Sequence, residues 1–291
     1  MKRFLSLVLI AVLLCSVGTS ALAAEGSIAV AVIGADLTDE QVSLVYDAFG
    51  IARGSVTELR MTNEMERRYL SGMVDETEIG TRSISCVYVE IWPAGSGLQI
   101  TTTDNISYFT PEMYGSALST AGITDGRIIV AAPFPVSGTG ALAGIYCAYE
   151  TLTGSTMDEL QKSTSTQELT VTGGLAEVIG EADAADIVSD IKNALTTMDS
   201  MSDEELRELI LGAAYQYNVS LTDTQVDQLI RLCRSIVSLD EAGLLDKVTD
   251  MQETIEKVSD AASGIASFFQ TVKNVFVSIV EFFGKVKDLF S

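Results

Sequence analysis

Apolar residues follow two periodic patterns along residues 25–154. Short alternating or continuous apolar runs are separated by segments in which apolar positions recur every three or four residues. The first pattern is typical of strands and the second of helices. The predicted strands are 27–33, 56–61, 82–92, 98–102 and 127–132. We expect strand 98–102 to pair with strand 82–92 across the glycine-containing turn at 95–97.

Helix-start signals lie between these strands and continue beyond them. A Ser or Thr followed three residues later by Glu or Gln forms a capping box, and this pattern begins at Thr38, Ser202 and Thr222. Pro111 directly after Thr110 marks another helix start. The predicted helices are 38–49, 62–70, 110–121, 138–149, 202–217 and 222–239.

The order of these elements predicts the fold class. Strands alternating with helices predict a layered α/β (α+β) sheet-and-helix domain over residues 25–154. A polar stretch (KSTSTQ) and a short apolar patch (ELTVTGG) then intervene, and they give a soft boundary. The remainder of 155–240 is predicted to be a helical region that packs on the sheet domain or follows it.

The strongest periodicity lies at the end of the chain and predicts a long amphipathic helix or coiled-coil tail over 241–291. Apolar residues recur at steps of four and three from Leu244 to Phe290, which is a heptad seam. A third apolar column joins the seam from Phe268 onward, and the face becomes aromatic. Its phenylalanines are Phe268, Phe269, Phe276, Phe282, Phe283 and Phe290.

The width of this face leaves three interpretations of the tail open. A two-stranded coiled coil needs only a narrow seam, whereas a wide aromatic face suits a bundle, a groove or a membrane surface. Lys273, Lys285 and Lys287 outnumber the acidic residues of 266–291 in an otherwise acidic chain. The tail is therefore predicted to bind a membrane surface, to associate with itself, or to dock on the protein's own body.

The first residues carry a secretion pattern. Lys2 and Arg3 precede an apolar run over 4–15, and Ala21 and Ala23 are small residues of the kind that a signal peptidase recognises. The run is shorter than the roughly 20 residues that a membrane-spanning helix needs. We therefore predict a signal peptide over 1–23, cleaved near Ala23. The mature protein is expected to be secreted or extracytoplasmic and associated with the cell envelope.

Composition excludes several chemistries. The chain has no His, which removes Ser-His-Asp and Cys-His triads and all His metal ligands. Its formal net charge of −22 repels the phosphates of nucleic acids. The mature chain retains Cys86, Cys147 and Cys233, an odd number without CxxC spacing, which indicates neither a disulfide framework nor a zinc site. We predict no metal, no cofactor and no nucleic-acid partner, and the state of the three thiols stays open.

A glycine- and hydroxyl-rich turn is the main candidate binding site. Ser137, Gly138, Thr139 and Gly140 follow a buried strand and begin a helix, where free N–H groups and the helix dipole favour a small anion. Alternatively, these residues form a tight turn in which Ser137 caps the helix. The turn lacks the Lys of a P-loop. Without a His or a nearby Lys, no base is available to activate Ser137 as a nucleophile.

Two arginines are candidate partners for such an anion. Guanidinium groups bind carboxylate and phosphate oxygens bidentately, and Arg67 or Arg82 is placed to reach the turn if the fold brings them together. Alternatively, the arginines form ion pairs with Glu64, Glu66 or Glu90. The sequence leaves both interpretations open.

Four stretches resemble those of a bacterial family. They read TNEMERRYL at 62–70, GTRSIS at 80–85, and TAGI at 120–123 followed by APFPVSGT at 132–139. In this order they are similar to the domain of unknown function family 1002, also called YpuA-like, and the resemblance extends to about Leu239. It implies an exported bacterial protein of Gram-positive type and supplies no catalytic residues.

These patterns together predict a cell-envelope-associated protein that is not an enzyme. The expected architecture is a ligand- or protein-binding head with a membrane-surface or self-association tail. The alternative is a carboxylate-dependent extracellular or cell-wall hydrolase. That activity needs two acidic side chains that face each other about 5–10 Å apart.

Overall fold

The computed structural model describes residues 28–195 and 201–241. The predicted signal peptide and all but the first residue of the predicted tail lie outside the described residues. The strands are β1 (Ile28–Gly34), β2 (Thr57–Met61), β3 (Cys86–Ile91), β4 (Leu98–Thr102) and β5 (Gly126–Ala131). The helices are α1 (Asp39–Phe49), α2 (Asn63–Leu70), α3 (Glu76–Ile79), α4 (Pro111–Thr120), α5 (Thr139–Thr153), α6 (Glu159–Ile179), α7 (Glu181–Leu195), α8 (Asp203–Gln216) and α9 (Asp223–Glu241).

The strands form one mixed sheet in the order β2-β1-β3-β5-β4. Strand β1 is parallel to β2, β4 is parallel to β5, and β3 is antiparallel to both β1 and β5. Helices cover the sheet and a helical region follows it, which confirms the predicted fold class.

One predicted strand pairing is wrong. Strand 98–102 does not pair with β3, because β3 lies between β1 and β5 and β4 pairs with β5 instead. The first four residues of β3 are buried on both of its faces, so β3 needs two buried neighbours. Strand β4 alternates exposed and half-buried residues, which suits the edge of a sheet. The crossover through α4 then allows the parallel pairing with β5.

Helices cover both faces of the sheet to different extents. Helix α5 packs on β1 and β3, and Gly144 lets it approach closely, because a Cβ atom there would lie 3.1 Å from Val87 Cγ2. Helix α4 packs beside it on β4. Helix α1 covers the opposite face, where the rings of Phe49 and Tyr88 lie 6.1 Å apart.

The helical region is built on α6, which packs against α4, α7 and α9. The polar stretch and the apolar patch that the sequence places between the two regions both belong to this one continuous helix. A second hydrophobic cluster, separate from the one around the sheet, joins α7, α8 and α9. Within the two described ranges, no helix is long and apolar enough to cross a membrane.

Candidate functional site

The family-like stretches 62–70, 80–85 and 132–139 meet at one end of the sheet, whereas 120–123 precedes β5 at its other end. Segment 62–70 follows β2, 80–85 leads into β3, and 132–139 follows β5. Strands β2 and β5 end at the same end of the sheet where the antiparallel β3 begins, so the fold brings these stretches together. The carboxyl ends of strands are common places for ligand sites in α/β sheets. We call this region the motif corner, and its residues are Asp36, Asn63, Glu66, Ser83 and Gly140.

A buried carboxylate lies at the centre of the motif corner. Glu66 is only 2% exposed, and its Oε1 atom accepts a hydrogen bond from Ser83 Oγ at 2.7 Å. Its Oε2 atom accepts one from Asn63 Nδ2 at 3.3 Å. Burial raises the pKa of the Glu66 carboxyl, and these two hydrogen bonds act in the opposite direction.

Gly140 makes room for this carboxylate at the start of α5. A Cβ atom on residue 140 would lie 2.6 Å from Glu66 Oε1, which is closer than atoms of this kind approach. The first turn of a helix carries a partial positive charge that favours an anion. The place where the sequence suggests a bound anion therefore faces the protein's own Glu66.

The turn before α5 is also in contact with side chains of the protein's own core. Gly138, rather than Ser137, occupies the N-cap position, with a φ of 99° that favours glycine. A Cβ atom on Gly138 would lie 2.6 Å from the hydroxyl oxygen of Tyr114, and this hydroxyl donates to Gly138 O at 2.7 Å. Ser137 Oγ lies 3.2 Å from Thr139 Oγ1 and accepts a weak bond from Thr139 N at 3.4 Å.

Ser83 joins two carboxylates of unequal exposure. Its backbone N–H donates to Asp36 Oδ2 at 2.7 Å, while its hydroxyl donates to Glu66. Asp36 is exposed and Glu66 is buried, and the Asp36 charge contributes to the raised pKa of Glu66. Gly34 permits this arrangement, since a Cβ atom there would lie 2.4 Å from Ser83 O.

The two candidate arginines have other partners. Arg67 donates to Gly80 O at 2.6 Å and to Asn63 Oδ1 at 3.0 Å, and it forms an ion pair with Glu76. The sequence indicated ion pairing as one alternative for Arg67 but did not identify Glu76. Arg82 is exposed and donates to Asp36 O at 3.2 Å. In the described structure neither arginine donates to the turn at 137–140.

A second buried charge network ties the helical region to α4. Lys192 Nζ donates to Glu168 Oε1 at 2.8 Å and to both the carbonyl and the hydroxyl oxygen of Ser116 at 3.0 Å. Thr120 Oγ1 donates to Glu168 Oε2 at 2.5 Å. The ammonium group thus uses all three of its donors, and both carboxylate oxygens accept. The network stabilises the packing of α6 and α7 on α4.

The three thiols are free and unreactive in character. Burial raises the pKa of Cys86 to about 12 and that of Cys233 to about 12. Burial also raises the pKa of the half-buried Cys147. Since the thiolate is the nucleophile, these shifts oppose thiol catalysis. Throughout 28–195 and 201–241, no group of three or more acidic or cysteine side chains is placed to hold a metal ion.

The sequence alone indicates Glu66 only as an alternative partner for an arginine, and it assigns no role to Ser83 or Asn63. One signal was present, because Glu66 lies four residues before the buried Leu70 on the same side of α2. An acidic residue on the buried side of a short helix indicates a specific polar contact. The partner itself, however, lies far away in sequence.

Comparison with known proteins confirms the family resemblance. A family model described as "Protein of unknown function (DUF1002)" matches residues 33–275. The "Uncharacterized protein YpuA" of Bacillus subtilis (strain 168) is 35% identical over 285 residues, which cover 96% of each sequence. No solved structure matches the chain significantly.

Proposed function

The chain belongs to the DUF1002 family of proteins of unknown function, and we propose that it is an exported, cell-envelope-associated protein that acts by binding rather than by catalysis. The contact between Glu66 and Gly140 carries this proposal. It places an internal carboxyl group beside the first turn of the helix that the sequence favours for anion binding. The motif residues then serve to build a rigid head, and the head presents its outer surface to a partner.

The candidate nucleophiles among the described residues support a non-catalytic role. Ser137 has a threonine hydroxyl and a backbone N–H as its neighbours, and the chain has no His to act as its base. The raised pKa values of the cysteines keep their thiols protonated at neutral pH. A small anion is still a candidate ligand, because the guanidinium of Arg82 is exposed. Its site would be at the rim of the motif corner rather than at the N-terminus of α5.

The second part of the proposal concerns the tail. The apolar face that the sequence predicts between Phe268 and Phe290 needs a surface that shields it from water, and the lysines of the same segment suit anionic lipid headgroups. We propose that this segment holds the head at the envelope. Self-association and docking on the protein's own body are the competing outcomes.

Hydrolysis through carboxylates is the second candidate function, and the bridge through Ser83 favours it. One exposed acid and one buried acid with a raised pKa resemble the division between a base and a general acid. However, both carboxylates bind the same residue, and Glu66 is almost fully buried. A substrate has no room between them without a rearrangement of α2.

A cell-wall digestion assay separates the two functions. The mature chain, residues 24–291, is incubated with purified bacterial cell wall, and the release of soluble fragments is measured beside the Asp36→Asn and Glu66→Gln variants. We expect no release above the buffer control from any of the three proteins. Release by the wild type that either substitution abolishes would overturn the binding proposal in favour of hydrolysis.

Cell fractionation tests the role of the tail. The full chain and a chain that ends at Gly264 are expressed in the same host, and the protein is measured in the envelope fraction and in the medium. We expect the full chain in the envelope fraction and the shortened chain in the medium. An equal distribution of the two chains would remove the tail from the proposal. Sedimentation of a peptide of residues 261–291 with anionic vesicles then separates lipid binding from the two protein-based alternatives.

A further inference from the structure

Strand β4 forms one edge of the sheet, and its free backbone groups can be assigned. Gly126 N donates to Gly97 O at 3.1 Å, and Thr103 N donates to Val130 O at 3.0 Å. Backbone groups alternate in direction along a strand. The odd-numbered residues of β4 therefore face β5, and the N–H and C=O groups of Leu98, Ile100 and Thr102 point away from the sheet. This is a row of donors and acceptors of the kind that pairs with another strand.

The two edges of the sheet differ in how they are protected. At the other edge, β2 carries Glu58 and Arg60, which form an ion pair with each other, and Glu58 also pairs with Arg53. Charged side chains on an edge strand prevent pairing with other chains. By contrast, residues 91–103 contain no charged side chain and β4 contains no proline. Within the described part of the chain, edge β4 therefore lacks protection by charged side chains or proline.

Edge β4 is complementary to a second copy of itself. In an antiparallel pair centred on Ile100, this residue lies opposite Ile100 of the other copy, and Leu98 lies opposite its Thr102. The outward N–H and C=O groups of these residues are then in register for hydrogen bonds between the two strands. On the face of the sheet that α1 partly covers, the exposed Gln99 faces the exposed Thr101 of the other copy. Beyond the strand, Asp104 faces Ser96, so no two acidic residues oppose each other.

We propose that two copies of this chain pair antiparallel through β4, with the two-fold axis at Ile100, and form one continuous sheet across the dimer. The symmetry of the register about Ile100 selects a second copy as the occupant, because each outward N–H or C=O group then meets its counterpart on β4 of the other copy. Two bodies of net charge −22 repel each other over most of their surfaces, and the uncharged stretch 91–103 lets them approach. Two-fold pairing through identical surfaces is also the commonest way in which protein chains associate. This proposal goes beyond the proposed function and does not depend on it.

A pair of double variants tests the interface. Gln99 and Thr101 are exposed, so charged residues at these positions leave the core unchanged. Both variants have Glu at position 99, which lies beside Arg127 of β5. Gln99→Glu with Thr101→Glu places Glu opposite Glu between copies, whereas Gln99→Glu with Thr101→Lys places Glu opposite Lys. The tail is the same in both mature chains, so it contributes equally to any association.

Light scattering after size exclusion gives the readout. At equal concentration, we expect the Glu–Lys variant and the wild type to have about twice the mass of the Glu–Glu variant. Equal masses for the two variants would overturn the proposal, and so would a monomeric wild type. That second outcome would also leave an extended peptide as the candidate occupant of the edge.

Cross-linking tests the register independently. A Gln99→Cys chain and a Thr101→Cys chain are oxidised separately and as a mixture. We expect an inter-chain disulfide to form mainly in the mixture, because residue 99 faces residue 101 of the other copy. Equal cross-linking of all three samples would contradict the antiparallel register centred on Ile100.

Discussion

The carboxylate of Glu66 lies against the backbone of Gly140, so closely that a methyl group on residue 140 would stand 2.6 Å from Oε1. The contact joins α2 to the first turn of α5 across a large separation in sequence. It makes the glycine a requirement of packing, although the helical conformation itself would accept any residue.

Replacing Gly140 by Ala should lower the free energy of unfolding by about 1–3 kcal/mol, because the added methyl group displaces the buried carboxylate. Gly212→Ala is the matched control, since a Cβ atom on this helical glycine has open space. That change should instead raise stability by about 0.5–1 kcal/mol. Urea denaturation of both variants measures the difference, and equal effects would contradict the assigned contact.

Combining Gly140→Ala with Glu66→Ala should show that the two residues are coupled. Removal of the carboxylate leaves space for the methyl group, so Gly140→Ala should cost less in the Glu66→Ala background than in the wild type. A double-mutant cycle by urea denaturation measures this coupling. Strictly additive free energies would show that the two side chains do not compete for space.

The raised pKa of Glu66 predicts a specific pH dependence of stability. Because burial favours the protonated carboxyl, the contribution of Glu66 is complete below its unfolded-state pKa and is lost as the pH rises through its folded-state pKa. Glu66→Gln cannot ionise. The stability of the wild type relative to Glu66→Gln should therefore fall across the range from about pH 4, near the unfolded-state pKa, upward to neutral pH and beyond. A constant difference in urea denaturation across this range would refute the shift.

The Lys192–Glu168 pair should tolerate joint neutralisation better than single neutralisation. Lys192→Met leaves the carboxylate of Glu168 buried without its cation, which should cost about 3–5 kcal/mol. Adding Glu168→Gln should recover much of this loss, because an amide needs no counter-charge. Arg68→Met, which breaks the exposed pair with Glu64, should cost less than about 1 kcal/mol. If the double variant is less stable than Lys192→Met, the assigned network is wrong.

The thiols should differ in their rates of modification in the native protein. Cys86 and Cys233 are fully buried with raised pKa values, whereas Cys147 is half-buried. A maleimide at neutral pH should therefore label Cys147 first, and it should reach the other two only as the protein unfolds. Peptide mass spectrometry after timed labelling identifies the order. Early labelling of Cys86 would show that the strand-end region opens more readily than its packing indicates.

The sequence was sufficient at four helix starts, where the capping residue and its partner lie within one turn of each other. The capping boxes at Thr38 and Ser202 form with both of their hydrogen bonds, and Thr110 caps α4 in front of Pro111. At Thr222 the side chain accepts from Gln225 N, as the pattern requires. These contacts depend on local backbone geometry, so the residue order alone specifies them.

The tertiary structure alone decided which distant elements meet. A glycine-containing turn between 82–92 and 98–102 favoured a hairpin, yet the burial of β3 on both faces placed β5 beside it and moved β4 to the edge. In the same way, the turn at 137–140 has the composition of an anion site, but only the packing of α2 against α5 brings Glu66 to it. Local patterns specify where helices and strands begin, because their energies depend on neighbours in the chain. The partner of a strand edge or a helix terminus depends on competition among all buried surfaces, and only the complete fold resolves that competition.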